Sequence, residues 1–406
     1  MGIVEGHLEI NPPGGVPVWD VDPYDPEILV DPDSYYAELR AKGPFVYIPK
    51  YSILACGRHE ETQEVFSDHE RFVSSRGVGL QDFHLQKPWR PQSLVVEADP
   101  PYHSKTRKIL MRALSPKATG ALKERFQDAA DRLIDTLLER GSFEAVADLA
   151  EAFPTSVFPA AVGLKKSNKR ALIDYGAMVF NGLGPDNELR QKSMAMGPDI
   201  VPWIAEQCQR KNTKTGGFAA TIFEAVDAGE ITEEEGEMLV RSLLSAGVDT
   251  TVTGIGSTLW CLASFPEQFE KLKEDPKLIR PAFEEVLRFT SPVHSFCRTA
   301  NKDTSVAGVE IVKGTKILCV LGAANSDDQK WPNAGKFDVS RKPMGHLAMG
   351  SGIHTCVGQT LARAEVGAVL TSIVKKVGQI TLTGEAKWRP NNAIHALDKL
   401  PIAFKK

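Results

Sequence analysis

The chain has 406 residues, 42% hydrophobic and 25% charged, with 48 basic against 52 acidic side chains and a net charge of -4. That composition supplies a large core and excludes disordered and collagen-like classes. The near balance of charge excludes a nucleic-acid binder with its clear basic excess, while length alone would suggest two or three domains.

Six cysteines (Cys56, Cys208, Cys261, Cys297, Cys319, Cys356) lie far apart with no CxxC pair. This is neither a disulfide framework nor a zinc pattern, and it suits a reducing cytoplasm. The opening MGIVEGHLEINPPGG lacks the basic start and apolar stretch of a signal peptide, and lacks the Ser or Thr of a myristoylation signal at position six. The most apolar long segment, 239–262, contains Arg241 and Asp249 and reads as a buried helix rather than a membrane span. A soluble protein that avoids membranes is expected.

Residues 1–30, rich in Pro, Gly and Asp, read as an irregular arm. A short helix over 31–43 ends at Gly43, two strands over 45–57 flank a turn at Pro49 and Lys50, and RHEETQEVFSD opens another helix. Residues 72–101 show no lasting period. A loop of that length is usually functional, and its Phe83, Trp89, Leu94, Val95 and Val96 favour an ordered lid. Helical periodicity then dominates, near 102–114, 117–140, 143–164, 167–183, 191–210, 217–228, 234–264, 266–274 and 278–290. Strand-like pieces occupy 294–321, a helix follows over 357–376, and strands close the chain near 378–383 and 400–405. The reading is one large, mainly α domain with small β-sheets.

Chemistry concentrates in HLAMGSGIHTCVG, residues 346–358. A thiolate bound to heme iron needs backbone N–H groups turned toward its sulfur and a chain that approaches a flat macrocycle closely. Gly350, Gly352 and Gly358 around Cys356 supply that freedom, and a helix starting near Val357 sets its positive end beside the sulfur. Taken alone, the pattern reads equally well as a buried structural cysteine beside a Gly-rich turn.

The surrounding motifs decide between the two. EEVLR places Glu285 and Arg288 at i,i+3, FDVSR carries Arg341 about 50 residues later, and Cys356 follows 15 residues after that. Upstream, AGVDTT (246–251) lies in the longest predicted helix and HSKTR (103–107) in an early one. In this order the chain resembles the cytochrome P-450 superfamily over essentially its whole length. The family usually has phenylalanine where Met349 stands. Methionine can fill a similar volume less rigidly, so ligation is expected to survive with an altered redox potential or loop stiffness.

The resemblance implies heme b (iron protoporphyrin IX) with Cys356 as axial iron ligand. His103, Arg107, Arg298 and His354 then serve the propionates, and Glu285, Arg288 and Arg341 are structural. Ser242, Ala246, Asp249 and Thr250 are predicted to share one side of the 234–264 helix. Gly247 allows that helix to loosen, and Thr250 can bond back to a preceding carbonyl. By resemblance Asp249 and Thr250 form the acid–alcohol pair that relays protons to bound O2.

SSRGVGLQDF, KPWRPQSLVVEADPP and RSLLSAGVDTT look like the bacterial subfamily that oxidises para-substituted benzoates. Matching positions for the substrate carboxylate are Arg90, Ser93 and Ser242, with Arg241 and Ser245 nearby. Val96, Phe180, Leu183, Ala246, Val293, Phe296 and Ile394 supply apolar walls, roomier at Leu183 and Val96. Ser242 precedes Thr250 by about 12 Å of helix, roughly the span of a benzoate, its para group and the gap to iron.

The expected reaction is O-demethylation or hydroxylation of a small aromatic acid such as 4-methoxybenzoate. Another hydrophobic substrate such as a terpenoid, or a non-catalytic heme sensor or electron carrier, are the other readings. No GxGxxG opens a nucleotide fold, so electrons from NAD(P)H must arrive through partner proteins, a ferredoxin reductase and an iron–sulfur ferredoxin. Lys105, Lys108 and Arg112 form a basic stripe suited to an acidic ferredoxin or simply to solvent. A monomer is expected.

Overall fold

The computed structural model describes residues 8–406; the leader motifs read at residues 1–6 lie outside them. Helices dominate, and the central one, Asp249–Ser264, is buried along nearly its whole length. Such all-round burial explains why its sequence lacks a polar face. Around it pack the helices Lys169–Asn181, Ile279–Thr290 and Gln359–Lys376, and the last of these also lies against Lys123–Arg140.

A five-stranded sheet stands beside the helices in the order Val46–Ile48, Ile53–Cys56, Lys316–Cys319, Phe296–Ala300, Phe72–Val73. Ile53–Cys56 runs parallel to Lys316–Cys319, and the other pairs are antiparallel. Its continuous apolar runs, such as ILAC and the ILC after Lys316, fit strands buried on both faces. Smaller sheets pair Pro401–Lys405 with both Ser142–Glu144 and Gln379–Leu382, Thr304–Val306 with Val309–Ile311, and Lys387–Arg389 with Ala396–Lys399. No helix among the described residues is long and apolar enough to cross a membrane.

Several expected elements are divided. The arm expected to be irregular ends in a helix, Pro26–Val30, because the Asp25 carboxylate accepts from the Glu27 N–H and Pro26 presets the first turn. The 143–164 helix begins instead as the strand Ser142–Glu144, passes through a π-turn at Val146–Glu151, and becomes α-helical only over Ala152–Val162. Pro154 has no N–H to give the Ala150 carbonyl, which suits the wider turn ahead of it. The 191–210 helix splits at Met196 into Glu188–Ala195 and Gly197–Cys208, with Pro198 opening the second piece. The longest predicted helix breaks at Gly247–Val248 into Glu233–Ala246 and Asp249–Ser264.

Between Val73 and Tyr102 the chain has no regular element but is closely tied down. Arg76 pairs with buried Asp82, the Asp99 carboxylate accepts from the N–H groups of Ser74 and Ser75 at 3.0 Å, and Arg90 pairs with buried Glu97. These internal ties replace the missing ladder bonds.

Candidate active site

The loop before Gln359–Lys376 turns through Gly350 (φ +74) and Gly352 (φ +62), conformations that disfavour any side chain. At Gly352 an added Cβ would sit 2.8 Å from the Ser67 carbonyl, so the loop lies directly on the C-terminal end of the helix His59–Ser67. The Cys356 N–H donates to the Met349 carbonyl at 2.7 Å, which closes the turn. Burial pushes the Cys356 thiol up, while N–H groups of Gly358 and Gln359 and the charges of Arg363 and Arg107 favour its thiolate. The sulfur therefore has the helix-end N–H donors the sequence implied.

Behind the loop, Arg288 grips Glu285 with two 2.8 Å bonds, and both side chains are fully buried. Arg341 Nε reaches the same Glu285 oxygen at 3.0 Å. Arg288 also donates to the Asn325 carbonyl, and the Asn325 side-chain oxygen accepts from the Leu347 N–H at 2.7 Å. The motif residues thus reach the cysteine loop through Asn325, which sequence reading missed.

His103, Arg107, Arg298 and His354 are brought together. The rings of His103 and His354 lie 4.5 Å apart, and the Arg107 guanidinium donates to the Thr355 carbonyl. Burial, then Arg298, His103 and Arg107, push His354 down to about 2, and burial lowers Arg298 to about 10. Both ring nitrogens of His103 and Nε2 of His354 are buried without a hydrogen bond. Asp99 is near, but its oxygens already accept from Ser74 and Ser75. Packed basic groups short of anions fit the two propionates of heme, whose charges would relieve the crowding. His69, which sequence reading did not single out, adds to the same positive field.

At the helix break, Thr250 Oγ1 donates to the Ala246 carbonyl at 2.7 Å, the back-bond expected of it. Ala246 is exposed and Thr250 half-buried, whereas Asp249 is only 1% exposed. Its carboxyl turns into a small cavity with Glu151, Thr253 and Arg389, so the four residues expected on one helix side do not all share it. An Asp249 oxygen lies 3.4 Å from Arg389, the other lacks a hydrogen bond, and burial raises the acid's pKa against the opposing Arg389 charge. Nothing in the sequence pointed to Arg389.

Phe180, Leu183 and Ile394 form one apolar cluster with Val78, and Val293 and Phe296 pack against it. Val96 and Ala246 are not part of that cluster, and Val96 is 41% exposed. Arg90 is half-buried and bonds both Glu97 oxygens at 2.9 Å, leaving its buried Nε–H unused. Arg241 donates to the Pro91 carbonyl beside it. Ser93 Oγ accepts from the N–H groups of Val95 and Val96, so its own O–H remains free to donate. Ser242 and Ser245 spend their O–H groups on the carbonyls of Met238 and Ser242. In the basic stripe, Lys105 and Arg112 already face Glu235 and Glu230, at 4.0 and 2.8 Å, and Lys108 is exposed.

Comparison with known proteins agrees with this constellation. Residues 188–396 match the family described as cytochrome P-450. The chain is 48% identical to cytochrome P-450 CYP199A2 of Rhodopseudomonas palustris over 96% of its own length and 94% of the relative's. It is 30% identical to the beta-dihydromenaquinone-9 omega-hydroxylase of Mycobacterium tuberculosis, over 95% and 78% of the two chains. Among solved structures, cytochrome P-450 CREJ in complex with (4-ethylphenyl) dihydrogen phosphate superposes with a TM-score of 0.85 at 25% identity, over 95% of this chain and 99% of that one. CYP109E1 of Bacillus megaterium in complex with testosterone gives 0.83 at 25% identity, over 93% and 99%. Sequence, fold and site together assign the chain to the cytochrome P-450 family of heme-dependent monooxygenases, which take electrons from NAD(P)H through partner proteins.

Proposed function

We propose that the whole chain acts as one monooxygenase domain on a small aromatic acid, by O-demethylation or hydroxylation at the para position of a 4-substituted benzoate such as 4-methoxybenzoate. The observation that carries this reading is Arg90, a guanidinium with an unused buried Nε–H whose partner Glu97 also accepts from the Ser93 N–H, leaving the Ser93 hydroxyl free to donate. A carboxylate entering an apolar chamber needs such charge-assisted donors at its far end. Residues 72–101 form the lid that carries them, and the related CREJ structure holds (4-ethylphenyl) dihydrogen phosphate, another para-substituted aryl compound.

In the mechanism Cys356 would hold the heme iron, and His103, Arg107, Arg298 and His354 would hold its propionates. Bound heme supplies dioxygen activation, which the thiolate's electron donation promotes. Burial raises the Asp249 pKa against the opposing Arg389 charge, which favours the protonated form of its carboxyl over that of an exposed aspartate. Thr250, anchored to the Ala246 carbonyl, sets an alcohol oxygen at the helix break. Together they would hold and pass protons toward the side of the loaded site where dioxygen is activated. Ser242 joins carboxylate binding by rotating its O–H away from Met238. A ferredoxin, reduced by its reductase, supplies electrons to this monomeric, cytoplasmic enzyme near the Lys105–Lys108–Arg112 helix.

The second reading is an uncharged hydrophobic substrate such as a terpenoid, favoured by Glu97 already balancing Arg90. Titrating the heme-loaded protein with 4-methoxybenzoate and its methyl ester, while following the heme spin state, separates the two. The acid should shift the spin state and the ester should bind far more weakly; equal binding, or no shift with the acid, defeats the benzoate reading. Arg90→Ala alone strands a buried carboxylate. The joint variant Arg90→Leu with Glu97→Leu removes both charges, and it should still lose acid binding if Arg90 is the anchor.

A further inference from the structure

Lys316 is 2% exposed at the start of the strand Lys316–Cys319, in the middle of the five-stranded sheet. A buried ammonium is costly unless every N–H is answered. Here Nζ donates to three backbone carbonyls of a single loop turn: Arg76 at 3.0 Å, Gly77 at 3.2 Å and Gln81 at 2.9 Å. The turn is tight, for Gly77 sits at φ +93 and an added Cβ there would lie 2.6 Å from the Gln81 carbonyl.

Between those carbonyls lies the stretch that faces the apolar cluster. The Val78 carbonyl accepts from the Cys297 N–H at 2.7 Å, and the Leu80 N–H donates to the Leu183 carbonyl at 2.9 Å. At Gly79 an added Cβ would meet the Leu183 carbonyl at 2.4 Å, so the two segments touch backbone to backbone. Val78 itself packs with Phe180, Leu183 and Ile394.

We infer that Lys316 is a positioning and specificity-determining residue: by gathering three carbonyls of the 76–81 turn it fixes Val78 as a wall of the substrate chamber. The inference does not depend on which substrate the enzyme takes. The groups facing Lys316 are Cys297 on the adjacent strand and Asp82, Arg76 and Glu97 from the loop. Burial pushes the Cys297 thiol up to about 11, and Asp82, despite its burial, is held below the usual carboxylate range by Arg76 and Lys316. Burial lowers Lys316 itself to about 8. A neutral amine has two N–H groups for three carbonyls, so the turn loosens as the pH rises through that value.

The test uses the heme-loaded enzyme and Lys316→Met, which keeps the aliphatic stem. At about pH 7 the variant should lose about tenfold or more of the hydrogen-exchange protection at the Leu80 and Cys297 amides, while the Pro401–Lys405 sheet keeps its own. The ratio of its affinities for 4-phenylimidazole and imidazole at the heme should shift by a similar factor. Wild type should lose the same protection, corrected for intrinsic exchange, between about pH 7 and pH 9.5. A folded Lys316→Met with unchanged protection and an unchanged ligand ratio overturns the inference. If that variant does not fold, Lys316→Gln, whose amide keeps a donor, is read by the same protection and ligand ratio, and unchanged values in it overturn the inference instead.

Discussion

The amide of Cys356 is bound to the carbonyl of Met349 at 2.7 Å, so the residue that departs from the family pattern holds the cysteine through its backbone. Its side chain is half-buried against the main core. Met349→Phe should therefore keep thiolate ligation, seen as an unchanged reduced-CO absorption band, and change stability by less than about 1.5 kcal/mol. The altered packing of the cysteine loop should appear as a shifted reduction potential. A lost CO band would show that the side chain, and not the carbonyl, shapes the loop.

Glu285 is shared by Arg288 and Arg341 inside the protein. Glu285→Ala leaves the Arg288 guanidinium buried without its carboxylate, a change expected to cost about 3–5 kcal/mol. Because Arg288 reaches the cysteine loop through Asn325, heme retention should fall along with the melting temperature. Unchanged heme content in a destabilised variant would show that the triad supports the fold without positioning the loop.

Asp249→Asn keeps the shape of a buried carboxyl but removes its acidic proton. Product formed per electron consumed should fall, with the product-forming rate reduced about a hundredfold. Burial raises the Asp249 pKa, so the wild-type rate should decline as pH rises through that raised value, a limb the Asn variant lacks. Arg389→Ala removes the opposing cation and should move the limb to still higher pH. Identical pH profiles in wild type and Asp249→Asn would remove Asp249 from proton delivery.

Glu365 is fully buried, and burial raises its carboxyl from 4.5 to about 8. The folded state thus prefers the protonated acid more than the unfolded state does. Its contribution is complete below about pH 4.5 and is lost as pH rises through about 8. Glu365→Gln should flatten the decline in melting temperature between about pH 4.5 and pH 8 and melt higher than wild type at the upper end. A steeper decline in the variant would mean that the carboxylate finds a partner when ionised.

Much of this was legible in the chain because its signals are local. The helix Tyr102–Ala113 with His103 and Arg107, the helix Ile279–Thr290 with Glu285 and Arg288, and the glycines around Cys356 each follow from spacing and backbone freedom within a few residues. The helix break was half legible: Gly247 and the Thr250 back-bond were anticipated, but one continuous helix was expected. The turning of Asp249 toward Arg389 was not, since that arginine stands 140 residues away.

Periodicity by itself determined the mainly helical fold, and the order of the motifs, by its resemblance to the cytochrome P-450 family, pointed to the family and to the cysteine, because these signals rest on near neighbours along the chain. Only the tertiary structure decided which charges are already answered: Arg90 by Glu97, Arg112 by Glu230, and Lys316 by three carbonyls of a distant loop. An isolated sequence lists charges without their partners. A buried charge is set by what the fold packs against it, and that pairing exists only once the segments have met.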